Sequence, residues 1–234
     1  MKYALILSLF LNISFSMHAF AADEVSDQLK AMIELAEQGD AEAQYDLALA
    51  YDFADGAPED HVAAVKWYLK AAEQGHMDAQ YNLAISYDDG EGVEEDNAAA
   101  TVWYRKAALQ GDAKAQYNLA RSYDEGEGVE VDHAEAVDWY RKAAEQGHTS
   151  AQYNLAVSYD EGEGVRQNHE EAVKWYIKAA KAGDPEAQYN LAISYEIGEG
   201  VEENKGEAVK WYRRAAAQGD TDAVDRLKAL NAWE

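Results

Sequence analysis

The 234-residue chain contains no cysteine, which excludes disulfides, thiol nucleophiles and cysteine-ligated metals. Bases are scarce: 20 lysines and arginines face 45 aspartates and glutamates, a formal charge of −25. A chain of that sign repels nucleic acid and anionic lipid, and favours basic partners. Beyond the N-terminal segment no long apolar stretch occurs, so no integral membrane segment is expected in the mature chain. The hydrophobic content of 48% argues against disorder.

What is present begins with an address. Lys2 supplies a positive start, and an apolar run of 13 residues from Tyr3 to Phe15 is too short to span a bilayer comfortably. Ala19-Phe20-Ala21 then matches the small-x-small pattern of a cleavage site. Residues 1–21 thus read as a bacterial secretory signal peptide, which places the mature protein in the periplasm or outside the cell. No cysteine follows the site, so lipid attachment there is excluded.

The remainder repeats. "AQYNLA" starts at Ala79, Ala115, Ala151 and Ala187, and "AQYDLA" at Ala43, in steps of 36 residues. Trp67, Trp103, Trp139, Trp175 and Trp211 keep the same step, each followed by tyrosine. The spacing predicts a half unit at 22–40, five full units at 41–220 and a capping helix at 221–234. Of 16 tyrosines, 15 are in register, three per unit, which marks them as core rather than as special residues.

Each unit reads as two helices. In the first, Asp184 suits an N-cap and Pro185 the first helical position, and Ala187, Leu191 and Tyr195 share a face. In the second, Ala172, Trp175, Tyr176, Ala179 and Ala180 form an amphipathic stripe. Gly39, Gly75, Gly111, Gly147, Gly183 and Gly219 stop the second helix. Between the helices stands "YDEGEGV", at 123–129 and again at 159–165, with near-copies at 87–93 and 195–201. Its acids and glycines invite a calcium or phosphate reading. Counted from Asp124, however, the third and fifth positions of a calcium loop are Gly126 and Gly128, and the lysine of a phosphate loop is missing. The loop reads as a joint: a C-cap glycine, a glycine for a tight turn, and a valine returning to the core.

The unit "AQYNLAVSYDEGEGVRQNHEEAVKWYIKAAKAGD" resembles the Sel1-like repeat (SLR), a relative of the tetratricopeptide repeat, over about residues 29–234. Departures are local. Alanine replaces the family glycine at Ala48, Ala84, Ala120, Ala156 and Ala192, and the first loop is "FADGAPED", with Ala54 at a glycine position. The resemblance implies an all-α, right-handed superhelical solenoid of antiparallel helix pairs, its concave face lined by first helices. It further implies an exported scaffold for a protein or peptide. A secretion-system immunity protein that binds a toxin is the rival within that class.

The rival from another class is an enzyme acting on cell-wall material or β-lactams. The motifs S-x-x-K, G-x-S-x-G and H-E-x-x-H are all absent, and "HEEAV" at 169–173 lacks the second histidine. His61, His133 and His169 share one register, and His76 and His148 another, so they are expected at separate surface or capping places. No catalytic residue, cofactor or metal is therefore assigned. Binding is indicated where the units differ. After the "NLA" triplet stand Leu49, Ile85, Arg121, Val157 and Ile193, and seven residues earlier Glu42, Asp78, Lys114, Ser150 and Glu186. Lys114 and Arg121, the only bases in these rows, share a helix face with Tyr117 and Asn118 between them, and Asn82, Asn154 and Asn190 continue the asparagine row. These seven are the candidate partner-binding residues. Arg121 is either an anchor for a ligand carboxylate or an internal balance for acids such as Asp88 or Asp124.

Cleavage after Ala21 makes a direct forecast: the intact mass of protein from the periplasmic fraction begins at Ala22. Mature protein that retains Lys2 would refute it.

Overall fold

The computed structural model describes residues 27–232, so the segment 1–21 read above as a signal peptide, and Trp233, lie outside the described residues. The described chain is helical, with no strand. Helix α1 covers residues 27–37. It is followed by α2 (Ala41–Asp52), α3 (His61–Glu73), α4 (Met77–Asp89), α5 (Asn97–Gln110), α6 (Ala113–Glu125) and α7 (His133–Glu145). The last five are α8 (Thr149–Glu161), α9 (His169–Ala182), α10 (Pro185–Ile197), α11 (Lys205–Ala217) and α12 (Thr221–Ala229). They form a solenoid of antiparallel pairs, the even-numbered helices being the first of each unit. The chain divides into two compact units, one ending at Asp96 and one beginning at Asn97. Within each, a helix packs on those before and after it in sequence.

The first helices start where the caps predict. Asp40, Asp112, Asp184 and Asp220 each accept a hydrogen bond from the backbone N–H three residues on, and Pro185 occupies the first turn. His76 and His148 hold the same place, Nδ1 accepting from the amides of Ala79 and Ala151. The capping role expected for this register is the one they fill.

Packing follows the periodicity. Leu47, Leu83, Leu119, Leu155, Leu191 and Leu227 are fully buried, as are Tyr68, Tyr140, Tyr176 and Tyr212 of the second helices. Each such leucine contributes about 1.5–3 kcal/mol. Tyr104 and Tyr123 are buried too, but four others correct the expectation of core: Tyr45, Tyr117, Tyr153 and Tyr189 are half-buried along the first-helix face. The tryptophans lie at the margin of the core, each with a base three residues on over its ring. Nζ of Lys70, Lys106, Lys142 and Lys178 stands 3.4–3.7 Å from the ring centroid, and Arg214 covers Trp211. A quarter of the scarce bases thus cover tryptophan rings at the surface.

A buried glutamine docks each first helix on the helix before it. Gln44, Gln80, Gln116, Gln152 and Gln188 donate through Nε2 to the carbonyls of Ala36, Ala72, Ala108, Ala144 and Ala180 at 2.9–3.1 Å. Their own side-chain oxygens are approached from the next unit. Gln74 donates to Gln44, Gln146 to Gln116 and Gln218 to Gln188, at 2.8–3.0 Å. Thirty residues after Gln152 this register holds Ala182, which has no amide to offer.

The joint has a stricter geometry than a tight turn. Its first glycine is the left-handed C-cap, as at Gly162 with φ +78°. Its second glycine lies against backbone of the preceding unit. A Cβ on Gly164 would sit 2.1 Å from the carbonyl oxygen of His133, and one on Gly200 2.2 Å from that of His169. The valine of the motif is half-buried. Gly147, which ends α7 at φ +93°, has open space around it.

These surroundings separate two substitutions of the same kind. Gly147→Ala is expected to cost about 1 kcal/mol, the strain of a Cβ at positive φ. Gly164→Ala adds a backbone collision that only a shift of one helix pair against the next relieves, and is expected to cost about 3 kcal/mol. Thermal and urea unfolding measure both, and equal losses would refute the close-approach account.

Candidate functional site

The tyrosines that leave the core make the wall of a cleft. In the unit that begins at Asn97, Tyr117 and Arg121 of α6 face Tyr153, Asn154 and Val157 of α8 across a space of about 300 Å³, with Asp124, Glu125 and Glu163 at its rim. Tyr117 stacks on the His148 ring, 4.6 Å between centroids at 20°, which fixes its plane.

Arg121 is held from its own helix. Its Nη2 donates to Glu125 Oε2 at 2.9 Å and its Nε to Oε1 at 3.3 Å, while Glu127 stands 3.9 Å away. The partner acids are therefore Glu125 and Glu127 rather than Asp88 or Asp124. Glu125 lies one turn on, where i and i+4 side chains meet. The pairing raises the Arg121 pKa, chiefly through the hydrogen bond to Glu125.

The seven candidate residues do not all converge. Tyr117, Arg121 and Asn154 line the cleft. Lys114 is exposed two turns nearer the N-terminus of α6, and its charge acts on His148. Asn118, through its carbonyl, accepts from Ser122 Oγ at 3.1 Å. Asn190 Nδ2 donates to the Tyr176 hydroxyl at 3.4 Å, and in the N-terminal unit Asn82 Nδ2 donates to that of Tyr68 at 3.3 Å. The asparagine row is thus partly engaged with buried tyrosines.

Those tyrosines belong to a repeated network that the sequence reading missed. Tyr68, Tyr140 and Tyr176 donate to Asp52, Asp124 and Asp160 at 2.9–3.3 Å. The same three aspartates accept from Nδ1 of His61, His133 and His169 at 2.7–2.9 Å. The signal was present as a fixed spacing, Asp followed by His nine residues on and Tyr sixteen on. Burial raises the pKa of each of these tyrosines, with the neighbouring carboxylate adding to it. They serve as hydroxyl donors to the aspartates. The serines near the cleft are also engaged: Ser122 and Ser158 donate to the carbonyls of Asn118 and Asn154, one turn back. Among the described residues no group of three or more His, Asp or Glu side chains is placed to hold a metal ion, and no helix is long and apolar enough to cross a membrane.

The helix pairs, their caps and the glycine joints recur at one spacing, and the Sel1 repeat pattern matches residues 41–76, 78–112, 113–148, 149–184 and 185–220. The chain belongs to the Sel1 repeat family. Sel1 repeats are typically protein-interaction scaffolds. Two solved Sel1 structures are similar over most of this chain. A protective antigen of uropathogenic Escherichia coli with an SLR fold is 42% identical, with a TM-score of 0.79, over 83% of this chain and 42% of its own. This chain therefore spans less than half the length of that antigen. A Sel1 repeat protein from Oxalobacter formigenes is 36% identical, with a TM-score of 0.78, over 90% of this chain and 89% of its own. No curated protein matches the sequence.

Four histidines of this Sel1 protein, His61, His133, His169 and His148, titrate with effects of two opposite kinds. His61, His133 and His169 have pKa values raised above the usual 6.5, first by the bond to the aspartate. Their contribution to stability is full below that unfolded value and is lost as pH rises through the raised folded values. Burial lowers the pKa of His148, Lys114 adding to the fall and Asp112 opposing it. Its contribution is present above the unfolded value and is lost as pH falls. Asparagine stands at the first register in the second unit, as Asn97. The double change His133→Asn and His169→Asn is accordingly expected to lower the melting temperature more near pH 5.5 than near pH 8.5. A loss independent of pH would refute the ion-pair account.

Proposed function

We propose that this Sel1 repeat protein is an exported, non-catalytic scaffold that binds a protein or peptide partner on its first-helix face, in the bacterial periplasm or outside the cell. The observation that carries the reading is the cleft on α6 and α8, where one guanidinium lies among tyrosines and an asparagine on a face otherwise rich in acid. Arg121 is only partly covered and is oriented by Glu125, so it can offer its remaining N–H donors to a carboxylate of the partner, a chain terminus or an aspartate. Tyr117 and Tyr153 supply rigid apolar area beside it. The serines nearby are bound to backbone carbonyls, and the pKa of the buried Tyr140 is raised rather than lowered, which favours binding over catalysis. The N-terminal signal pattern is the support for export.

Tagged protein recovered from the envelope provides the partner by co-purification. Against that partner, the double change Lys114→Ala and Arg121→Ala is expected to weaken binding by about 2 kcal/mol or more, with Arg121→Ala alone giving most of the loss and the melting temperature little changed. Lost stability with retained affinity would mean that Arg121 only balances its neighbouring acids, and would overturn the proposal.

A further inference from the structure

The cleft around Arg121 has a counterpart in the N-terminal unit. There Asp52, the last residue of α2, and Phe53, its C-cap, face Asn82 and Ile85 of α4, with His61 of α3 beside Asp52 and Glu91 at the rim, around a space of about 240 Å³. Five of these residues stand two 36-residue steps before a wall residue of the other cleft: Asp52 before Asp124, Phe53 before Glu125, Asn82 before Asn154, Ile85 before Val157 and Glu91 before Glu163. Two registers differ in kind. Leu49 stands where the other cleft has Arg121, and Phe53 where it has the glutamate that holds that arginine. The N-terminal cleft thus has the carboxylates without an arginine, the basic side chain in its wall being His61 on Asp52, and in place of the Arg121–Glu125 pair a phenylalanine ring left 71% exposed.

A third instance of the register shows what these carboxylates accept. At the C-terminal end Glu196 takes the place of Asp52, and Arg226 that of Asn82. Arg226 grips Glu196 with two parallel bonds, Nε to Oε2 at 2.9 Å and Nη2 to Oε1 at 2.8 Å. The Tyr212 hydroxyl donates to the same Oε2 at 2.7 Å. A carboxylate here holds a buried tyrosine hydroxyl and a guanidinium together. Asp52 shares the tyrosine, with the Tyr68 hydroxyl on Oδ2 at 2.9 Å, and differs in that His61 Nδ1 stands on Oδ1 at 2.9 Å, where the Glu196 register has Lys205. On Asp52, however, no guanidinium arrives from α4, because Asn82 carries a neutral amide, which donates to the Tyr68 hydroxyl instead.

We propose that the cleft between α2 and α4 receives an arginine side chain of a protein or peptide partner. The guanidinium lies toward Asp52 and Glu91, and its stem and flat face lie along Ile85 and Phe53, the ring adding a cation–π contact. The charge of −25 favours such a guest over an anionic one. Phe53 is also the wall of a second cleft, of about 320 Å³, with Met32, Leu49 and Ala50, so an aliphatic residue beside the arginine has a place to bury. This site uses other residues, in the other unit, than the Arg121 cleft, and its guest has the opposite charge.

The test uses the full chain and the peptide acetyl-Gly-Leu-Arg-Leu-Gly-amide, titrated by amide chemical shifts at low salt, beside versions with citrulline or lysine in place of arginine. The arginine peptide is expected to bind about tenfold or more tightly than the citrulline peptide, which has the same shape without the charge. Glu91→Gln and Phe53→Ser are expected to weaken it about fivefold or more with melting unchanged, since both side chains are exposed. Glu73→Gln, which removes the same charge at the end of α3, is expected to leave it bound. Equal binding of arginine and citrulline peptides would overturn the proposal. So would a lysine peptide that matches the arginine one, or a loss in Glu73→Gln equal to that in Glu91→Gln, which would mark attraction to net charge alone. Loss of the arginine peptide in the Lys114→Ala, Arg121→Ala double variant with Glu91→Gln unaffected would place it in the other cleft, and would overturn this assignment while leaving the partner measurement there to stand or fall by itself.

Discussion

A glutamine with almost no contact with water joins each first helix to the carbonyl end of the helix before it. Gln44 and Gln188 are each 4% exposed, beside leucines that are fully buried. Such a hydrogen bond adds only about 0.5–1.5 kcal/mol net, but leaving its donor unmatched in that setting costs about 1–3 kcal/mol. The bond therefore acts less as glue than as a condition on register. The leucine is buried, the alanines meet and the loop glycine fits only when the glutamine finds its carbonyl. The second amide from the next unit makes the condition two-sided wherever it is present, and at Ala182 it is one-sided.

A chain with more than two acids per base must also keep its negative charge from unfolding it. Part of the solution is that many acids carry internal work. Aspartates cap the first helices, and the aspartate that ends a first helix binds the tyrosine and the histidine of the second helix that follows it. The bases are spent as economically, over tryptophan rings. The exposed surface is acidic overall, with the cations scattered among the acids. Arg121 and Arg226 then stand out, because in both cases the chain has placed a guanidinium where an ordinary unit has an aliphatic residue or an amide.

Much of the fold was legible because the signals were local. Periodicity, N-cap aspartates and stop glycines act within one helix, and Asp184, Pro185 and Gly183 do what their chemistry requires. The role of the second loop glycine was legible only in part. Its positive φ is a local matter, but the carbonyl it faces belongs to the preceding unit, 31 residues earlier for Gly164 and His133. The binding residues suffered from the same limit. Arg121 and Lys114 share a helix face, and sequence spacing can say so. It could not say that the wall of the cleft comes from α8 and excludes Lys114, or that Glu125 reaches the guanidinium before Asp124, which is drawn inward by Tyr140. The division of the tyrosines between core and face was hidden for a related reason: all recur at one step, and a period alone does not tell which side of a helix is covered.

The offsets of these bonds set the lengths at which such a chain can exist. A glutamine looks back eight residues for its carbonyl and is met by an amide thirty residues on. An insertion of any size other than one whole unit moves leucine, glutamine and glycine out of phase together. A gain or loss of 36 residues leaves every surviving donor opposite an acceptor of the same kind. Length in this protein is therefore quantised, and a recombination between two of its identical "AQYNLA" segments would yield a folded chain one unit longer or shorter. Such an event would bring new pairs of walls into neighbourhood, Ile85 beside Val157 or Arg121 beside Ile193, and so change what the clefts hold without altering how the helices stack.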